Sequence, residues 1–260
     1  MKTVLVIPTY NECRNIERLI TTVRMGCAGH SPDILVVDSA SPDGTAGRVR
    51  ALQKNDPSLF LLEQPAKLGL GKAYLDGMAW ALARNYDLLC TMDADFSHHP
   101  AYLDRFFEEI QTHDLVVGSR YVPGGGLKNW PRYRRVLSRF ANWYARTLMG
   151  MPLTDLTSGF HCFRMSLLKK ILRYNIHTEG YAFLIELKFL ALLRGARFKE
   201  VPIVFTNRTE GDSKISKRVI LESIFFVIRR SFQRHRFRRR MSKVRAPEPE
   251  ASAVRSKVPV

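Results

Sequence analysis

The sequence predicts an α/β chain built on one mostly parallel central sheet with helices on both faces, and three observations carry that prediction. Apolar runs of strand length alternate with segments of helical period. The runs are apolar almost throughout instead of every second residue, as in strands covered on both sides. Of the 260 residues, 45% are apolar and 10% aromatic, enough for a buried core and unlike a disordered or collagen-like chain. The length suits one domain, or one domain with an appendage.

Thr3 to Ile7 is the first strand, a β-branched run closed by Pro8. Asn15 to Val23 follows as an amphipathic helix, because Ile16, Leu19, Ile20 and Val23 recur at three- and four-residue spacing. Ile34 to Val37 is the second strand, ending at Asp38, and Ser41, Pro42 and Asp43 cap a helix reaching about Lys54. Leu59 to Leu62 is the third strand, and the glycine-punctuated turn from Leu68 to Lys72 opens a helix ending at Ala83. Leu88 to Met92 and Asp114 to Gly118 are the fourth and fifth strands, with a helix from Pro100 to Ile110 between them. After Gly150 the spacing loosens, and helices are expected at Ser166 to Leu172 and Tyr181 to Arg194, then a strand near Phe198 to Phe205. Residues 1–215 read as the main folded domain, 216–241 as an amphipathic basic helix and 242–260, rich in Pro, Ala, Ser and Glu, as a disordered tail.

Charge is the outlying property, at a formal +17. Residues 214–260 hold 14 basic and 3 acidic side chains, and residues 115–154 hold 7 basic and no acidic ones, so two districts carry the whole excess. Each calls for an anionic partner. The four cysteines, Cys13, Cys27, Cys90 and Cys162, lack metal-ligand or redox-pair spacing and read as small core residues of a reducing compartment. The N-terminus lacks the apolar stretch of a signal peptide, and no apolar run is long enough to span a bilayer.

In a parallel sheet, ligands bind at the carboxyl ends of the strands. That edge gathers Pro8 to Glu12, Asp38 to Asp43, Asp93 to Ser97 and Ser119 to Tyr121. The strongest signal is MDADFSHHP at residues 92–100, where Asp93 and Asp95 flank Ala94 directly after a buried strand. Two carboxylates so placed suit Mg²⁺ or Mn²⁺ held jointly with substrate phosphates, although a capped turn uses the same residue types. In PTYNE, Tyr10 offers a ring to a base and Glu12 an acceptor to ribose or base hydrogens. Asp38 can fix its loop or reach a nucleotide, and Lys72 can meet a phosphate or sit exposed at a helix start. The triple glycine at 124–126 suggests a mobile loop that closes over an anion, with Arg120 pointing into the site. Arg132, Arg135 and Arg139 share one face of the helix that follows. His98 and His99 read as structural.

Together PTYNE, VVDSASPDGT, GLGKAY, MDADFSHHP, GSRY, TSGFHCFR, EGYAFLIE and the segment from Arg208 to Lys214 resemble, in order and spacing, the polyprenol-phosphate (dolichol-phosphate) mannosyltransferases. These are inverting family 2 glycosyltransferases of the GT-A fold. The resemblance implies transfer of mannose from GDP-mannose to a polyprenyl phosphate. By matching positions, Pro8, Tyr10, Glu12 and Val37 line the nucleotide pocket, Asp93, Asp95 and Ser97 hold the metal and diphosphate, and Arg120, Arg208 and Lys214 bind phosphates. Ser39 departs from the pattern, since many relatives carry a second Asp there, and the choice of GDP over UDP rests partly on that residue.

A lipid acceptor places the enzyme at a bilayer, and the face formed by Ile220, Ile224, Val227 and Ile228, followed by an Arg run, suits an anionic membrane surface. Peripheral attachment on the cytoplasmic face is expected, with a small membrane-anchoring partner allowed for. A UDP-glucose or UDP-N-acetylhexosamine donor is the near alternative. A basic nucleic-acid-binding protein is the remote one, opposed by the lack of a recognised motif and by the gathered carboxylates.

Overall fold

The computed structural model describes residues 1–27, 29–207 and 224–232. Its main sheet has seven strands in the order β3-β2-β1-β4-β7-β5-β8. They are β1 (Thr3–Thr9), β2 (Asp33–Asp38), β3 (Leu59–Glu63), β4 (Leu88–Thr91), β5 (Leu115–Ser119), β7 (His161–Arg164) and β8 (Phe198–Pro202). All neighbours run parallel except β7, which is antiparallel to both β4 and β5. A small second sheet pairs β6 (Gly126–Lys128) with β9 (Val204–Thr206) in parallel.

Among the described residues, seven α-helices cover the sheet: α1 (Ile16–Gly26), α2 (Thr45–Gln53), α3 (Leu70–Ala83), α4 (Leu103–Glu109), α5 (Arg132–Met149), α6 (Met165–Ile171) and α7 (Gly180–Leu193). Residues 224–232 form a further helical stretch. The strand period of two divides the core into two layers. Val4, Val6, Leu35, Val37 and Leu89 face α3, α6 and α7, whereas Leu5, Ile7, Ile34, Val36 and Cys90 face α1, α2 and α4. Each fully buried aliphatic side chain contributes roughly 1.5–3 kcal/mol, so the strands need no polar face. At Gly77 an added Cβ would lie 2.6 Å from Val6 Cγ1, and this close approach seats α3 on β1.

Local chemistry explains where elements differ from expectation. The second helix starts at Thr45 with Gly44 at its N-cap, left-handed at φ 88°, directly after the expected capping residues, of which Ser41 Oγ donates to Asp38 and Asp43 Oδ1 accepts from Thr45. The strand expected from Phe198 to Phe205 is two strands in different sheets, parted at Ile203, whose N–H goes to Ser119 O and whose carbonyl accepts from Gly126. That second pairing anchors the end of the glycine loop expected to be mobile. No strand was expected at β7, which has four residues and polar His161 and Arg164 at its ends. All four cysteines are free and three are buried, Cys90 facing Cys162 across β4 and β7. No helix among the described residues is long and apolar enough to cross a membrane. Most of the expected helix over 216–241, and the tail after it, lie outside the described residues.

Candidate active site

The carboxyl edge of β1, β2 and β4 carries three non-glycine residues with positive φ: Asn11 (58°), Ala40 (54°) and Phe96 (57°). Such backbone is costly for L-residues and concentrates at functional sites. Phe96 sits between Asp95 and Ser97, so its turn brings the Ser97 N–H onto the Asp95 carboxylate.

Asp93 is partly exposed and Asp95 is buried. Tyr74 on α3 donates to Asp93 Oδ1 at 3.2 Å. Burial pushes the Tyr74 hydroxyl well above its ordinary range, so it stays a donor. The Asp93 N–H points at His98 Nδ1, 3.4 Å away, and the His98 ring packs on Phe160 and Phe205. Burial lowers the His98 pKa, with Asp93 partly opposing, in keeping with its expected structural role. Asp95 Oδ1 accepts from the Ser97 N–H, but Ser97 Oγ is buried with no hydrogen-bond partner among the described residues.

A buried, unpartnered hydroxyl on the same turn as the two carboxylates fits a hard divalent cation. No three His, Cys, Asp or Glu side chains converge into a fuller ligand set among the described residues. Such a cation would take its remaining ligands from substrate oxygens.

At the exits of β1 and β2, Pro8 and Val37 are buried and the Tyr10 ring lies 3.8 Å from Lys67 Nζ. Glu12 accepts from Asn15, and its own N–H donates to Thr45. Asp38 serves its loop, accepting from Thr9 Oγ1, Ser41 N and Ser41 Oγ. Ser39 donates to Gln64, Gln64 donates to Asp76, and Asp76 pairs with Lys72. The sequence reading missed that chain, which joins Ser39 to Lys72 through residues on β3's exit and α3.

At the other end, Arg120 is buried and fixed. Its guanidinium grips Asp155 through Nε (2.7 Å) and Nη2 (2.6 Å), and Nη2 also reaches Thr157 Oγ1 at 2.7 Å. Burial opposes charge on both partners, yet their mutual attraction raises Arg120 and lowers Asp155, so both stay ionised. Arg120 therefore carries a buried counterion, which the sequence reading had not paired with it. Asn142 on α5 ties in by donating to Thr157 and accepting from Leu156 N. Arg135 is exposed and donates to Trp130 O. Arg208 and Lys214 lie outside the described residues.

Two cavities flank α5. One, of about 500 Å³, is walled by residues 120–125, Arg139, Asn142 and Arg146. The other, of about 330 Å³, is mostly apolar, lies between α5, α7 and the 224–232 stretch, and has Thr157 in its wall. Along this helix Tyr133, Leu137 and Phe140 at the apolar cavity, Trp143 at the other and Val136 outside both are each at least half exposed, and Phe225 and Phe232 add to the display.

With this geometry in view, residues 4–172 match the model of glycosyl transferase family 2. The chain belongs to that family. This glycosyltransferase is 42% identical to the undecaprenyl-phosphate mannosyltransferase of Micrococcus luteus, over 88% of its own length and 93% of the relative's. It is equally similar to the polyprenol monophosphomannose synthase of Mycolicibacterium smegmatis, over 87% and 85%. Among solved structures it resembles glucosyl-3-phosphoglycerate synthase of Mycobacterium tuberculosis in complex with Mg²⁺ and UDP, with a TM-score of 0.61 and 20% identity over 87% of this chain and 79% of that one. That likeness shows the GT-A fold of the glycosyltransferase, as the motifs implied.

The glycosyltransferase thus unites residues that sequence reasoning had found, Asp93, Asp95, Ser97 and Arg120, with others it had not. Asp155 and Thr157 lay inside the noticed segment TDLTSGFHCFR, but nothing in their spacing announced a partner 35 residues away.

Proposed function

We propose that the protein transfers a mannosyl group from GDP-mannose to the phosphate of a membrane polyprenyl phosphate, inverting the anomeric carbon. The observation that carries this reading is that the apolar cavity shares Thr157 with Arg120. A hydrocarbon lying among Leu137, Phe140, Tyr144 and Ile185 delivers its phosphate end to the guanidinium. The names of the two bacterial relatives support the mannosyl group and the polyprenyl phosphate acceptor.

The acceptor phosphate is anionic near neutral pH. One of its oxygens attacks the anomeric carbon, the bond from that carbon to the donor diphosphate breaks on the opposite side, and the bonding pair leaves with the nucleoside diphosphate. No proton moves, so no general base is required, and catalysis rests on alignment and charge. Asp93, Asp95 and Ser97 would hold Mg²⁺ or Mn²⁺, which when bound supplies positive charge to the departing diphosphate. Tyr74 fixes the Asp93 carboxylate by its hydrogen bond, and Asp155 fixes Arg120. Tyr10, Glu12 and the Ser39 to Gln64 pair serve the nucleoside, and Arg208 and Lys214 keep the phosphate roles their motif suggests.

The exposed apolar residues of α5, interleaved with Arg132, Arg135, Arg139 and Arg146, support peripheral binding to an anionic bilayer. The four free thiols suit its reducing, cytoplasmic side.

The test is incubation of purified protein with polyprenyl phosphate, Mg²⁺ or Mn²⁺ and, separately, GDP-mannose, UDP-glucose and UDP-N-acetylglucosamine. Glycolipid formed from GDP-mannose alone is expected. Faster transfer from a UDP-sugar would overturn the donor assignment, which Ser39 leaves most exposed.

A further inference from the structure

Lys188 lies on α7 with none of its surface exposed, and no step described above uses it. Its ammonium nitrogen donates to Leu156 O at 2.9 Å, Ser158 O at 2.9 Å and Leu184 O at 3.4 Å. Three carbonyl acceptors match the three protons of an ammonium; a neutral amine has two protons and would turn its lone pair on the third oxygen.

The clamped residues stand at a junction. Leu156 and Ser158 bracket Thr157, which holds Arg120 Nη2 and Asn142. Asp155, one residue before, is the counterion of Arg120. Gly159, one residue after, lies so close to Asp93 that an added Cβ would be 3.6 Å from its Oδ1. The five residues 155–159 therefore run from the acceptor-side guanidinium to the metal-side carboxylate, and Lys188 grips them in the middle from a different element.

The geometry points to Lys188 as a positioning residue that, as an ammonium, holds residues 155–159 so that Arg120 and Asp93 keep the separation the transfer needs. This rests on the glycosyltransferase reading above.

The groups facing it are Asp155 and Glu200, which favour its charge, and Arg120, which opposes it, while His161 on β7 is itself lowered by Lys188. Burial is the largest influence and pushes the Lys188 pKa down to about 7. The clamp thus loosens as pH rises through neutrality, which gives the role a signature that mere packing lacks.

The experiment compares wild type, Lys188→Met and Lys188→Arg in the polyprenyl phosphate assay from pH 5.5 to 9, with amide hydrogen exchange on the same samples. Lys188→Met should lower kcat roughly 10- to 100-fold, leave the donor KM within about threefold, and lose the decline in kcat above pH 7 that wild type shows. Lys188→Arg, which stays charged, should restore part of kcat and carry the decline beyond pH 9. Exchange at residues 155–160 should quicken in the Met variant while β1 and β2 stay protected. A folded Lys188→Met with wild-type kcat and unchanged exchange at 155–160 overturns the proposal. If neither variant folds, a wild-type kcat that does not fall between pH 6.5 and 9 overturns it equally, and a fall centred near 7 supports it. A wild type that forms no glycolipid counts against the substrate reading instead, and exchange at 155–160 then decides the role of Lys188.

Discussion

Arg120 and Asp155 form a bidentate ion pair 35 residues apart in sequence, with the guanidinium 5% exposed and the carboxylate not at all. Removing one partner leaves the other charged and buried, which typically costs about 3–5 kcal/mol. Asp155→Asn should lower stability by that order in urea unfolding and cut transfer at least 100-fold. An Asp155→Asn variant as stable and active as wild type would mean that the pair does not organise the site.

Asp93→Asn and Asp95→Asn should behave differently. The amide keeps the shape of the side chain, so the thermal midpoint should shift by no more than a few degrees, while transfer falls by about three orders of magnitude with the loss of the metal-held diphosphate. Titration calorimetry of GDP with and without Mn²⁺ checks this: the gain in affinity from Mn²⁺ should vanish in both variants.

The apolar residues of α5 give a prediction about membranes. Val136 and Phe140 are 68% and 57% exposed, so a double change to Glu should leave folding intact. Flotation with vesicles containing anionic lipid should fall roughly tenfold or more for the double variant. Duplex DNA at the same salt should not compete for wild type, and strong competition would favour the nucleic-acid reading.

Glu186 on α7 is 1% exposed, accepts from Thr178 and pairs with Arg230 of the 224–232 stretch. Arg230→Ala should cost on the order of 1–3 kcal/mol, because a buried carboxylate loses its countercharge. Added Glu186→Gln should recover part of that loss, and a double-mutant cycle reads the coupling.

His161 supplies the pH dependence of stability. It is buried, its Nδ1 lies 3.2 Å from Thr91 Oγ1, and burial followed by Lys188 holds its pKa well below the ordinary value of 6.5. The native state therefore resists a proton that the unfolded chain accepts. Its contribution is whole above pH 6.5 and is lost as pH falls below it. Urea midpoints between pH 7.5 and 5 should drop less for His161→Gln than for wild type.

The alternation of apolar runs and helical periods was enough to order β1 to β5 with their helices, because buried parallel strands leave a plain record in composition. The acidic motif was legible for the same reason: charge directly after a buried strand is conspicuous. β7 was not, since its four residues carry no alternating pattern and its burial comes from strands distant in sequence. The role of Lys188 was not legible either. Its partners are backbone carbonyls, which no side-chain pattern reveals. The tie between Ser39 and Gln64 escaped similarly, being a contact across two strand exits.

The antiparallel strand also has a bearing on how the chain is made. β7 separates β4 from β5, so the half-sheet of β3, β2, β1 and β4 can assemble as it is synthesised, while β5, complete at residue 119, finds no partner until residue 161 has been added. During that interval the nascent chain carries two open strand edges and the exposed apolar residues of α5. Such edges invite pairing with other chains. A ribosome paused before residue 161 should therefore hold a species that needs chaperone cover, and one released beyond residue 202 should not.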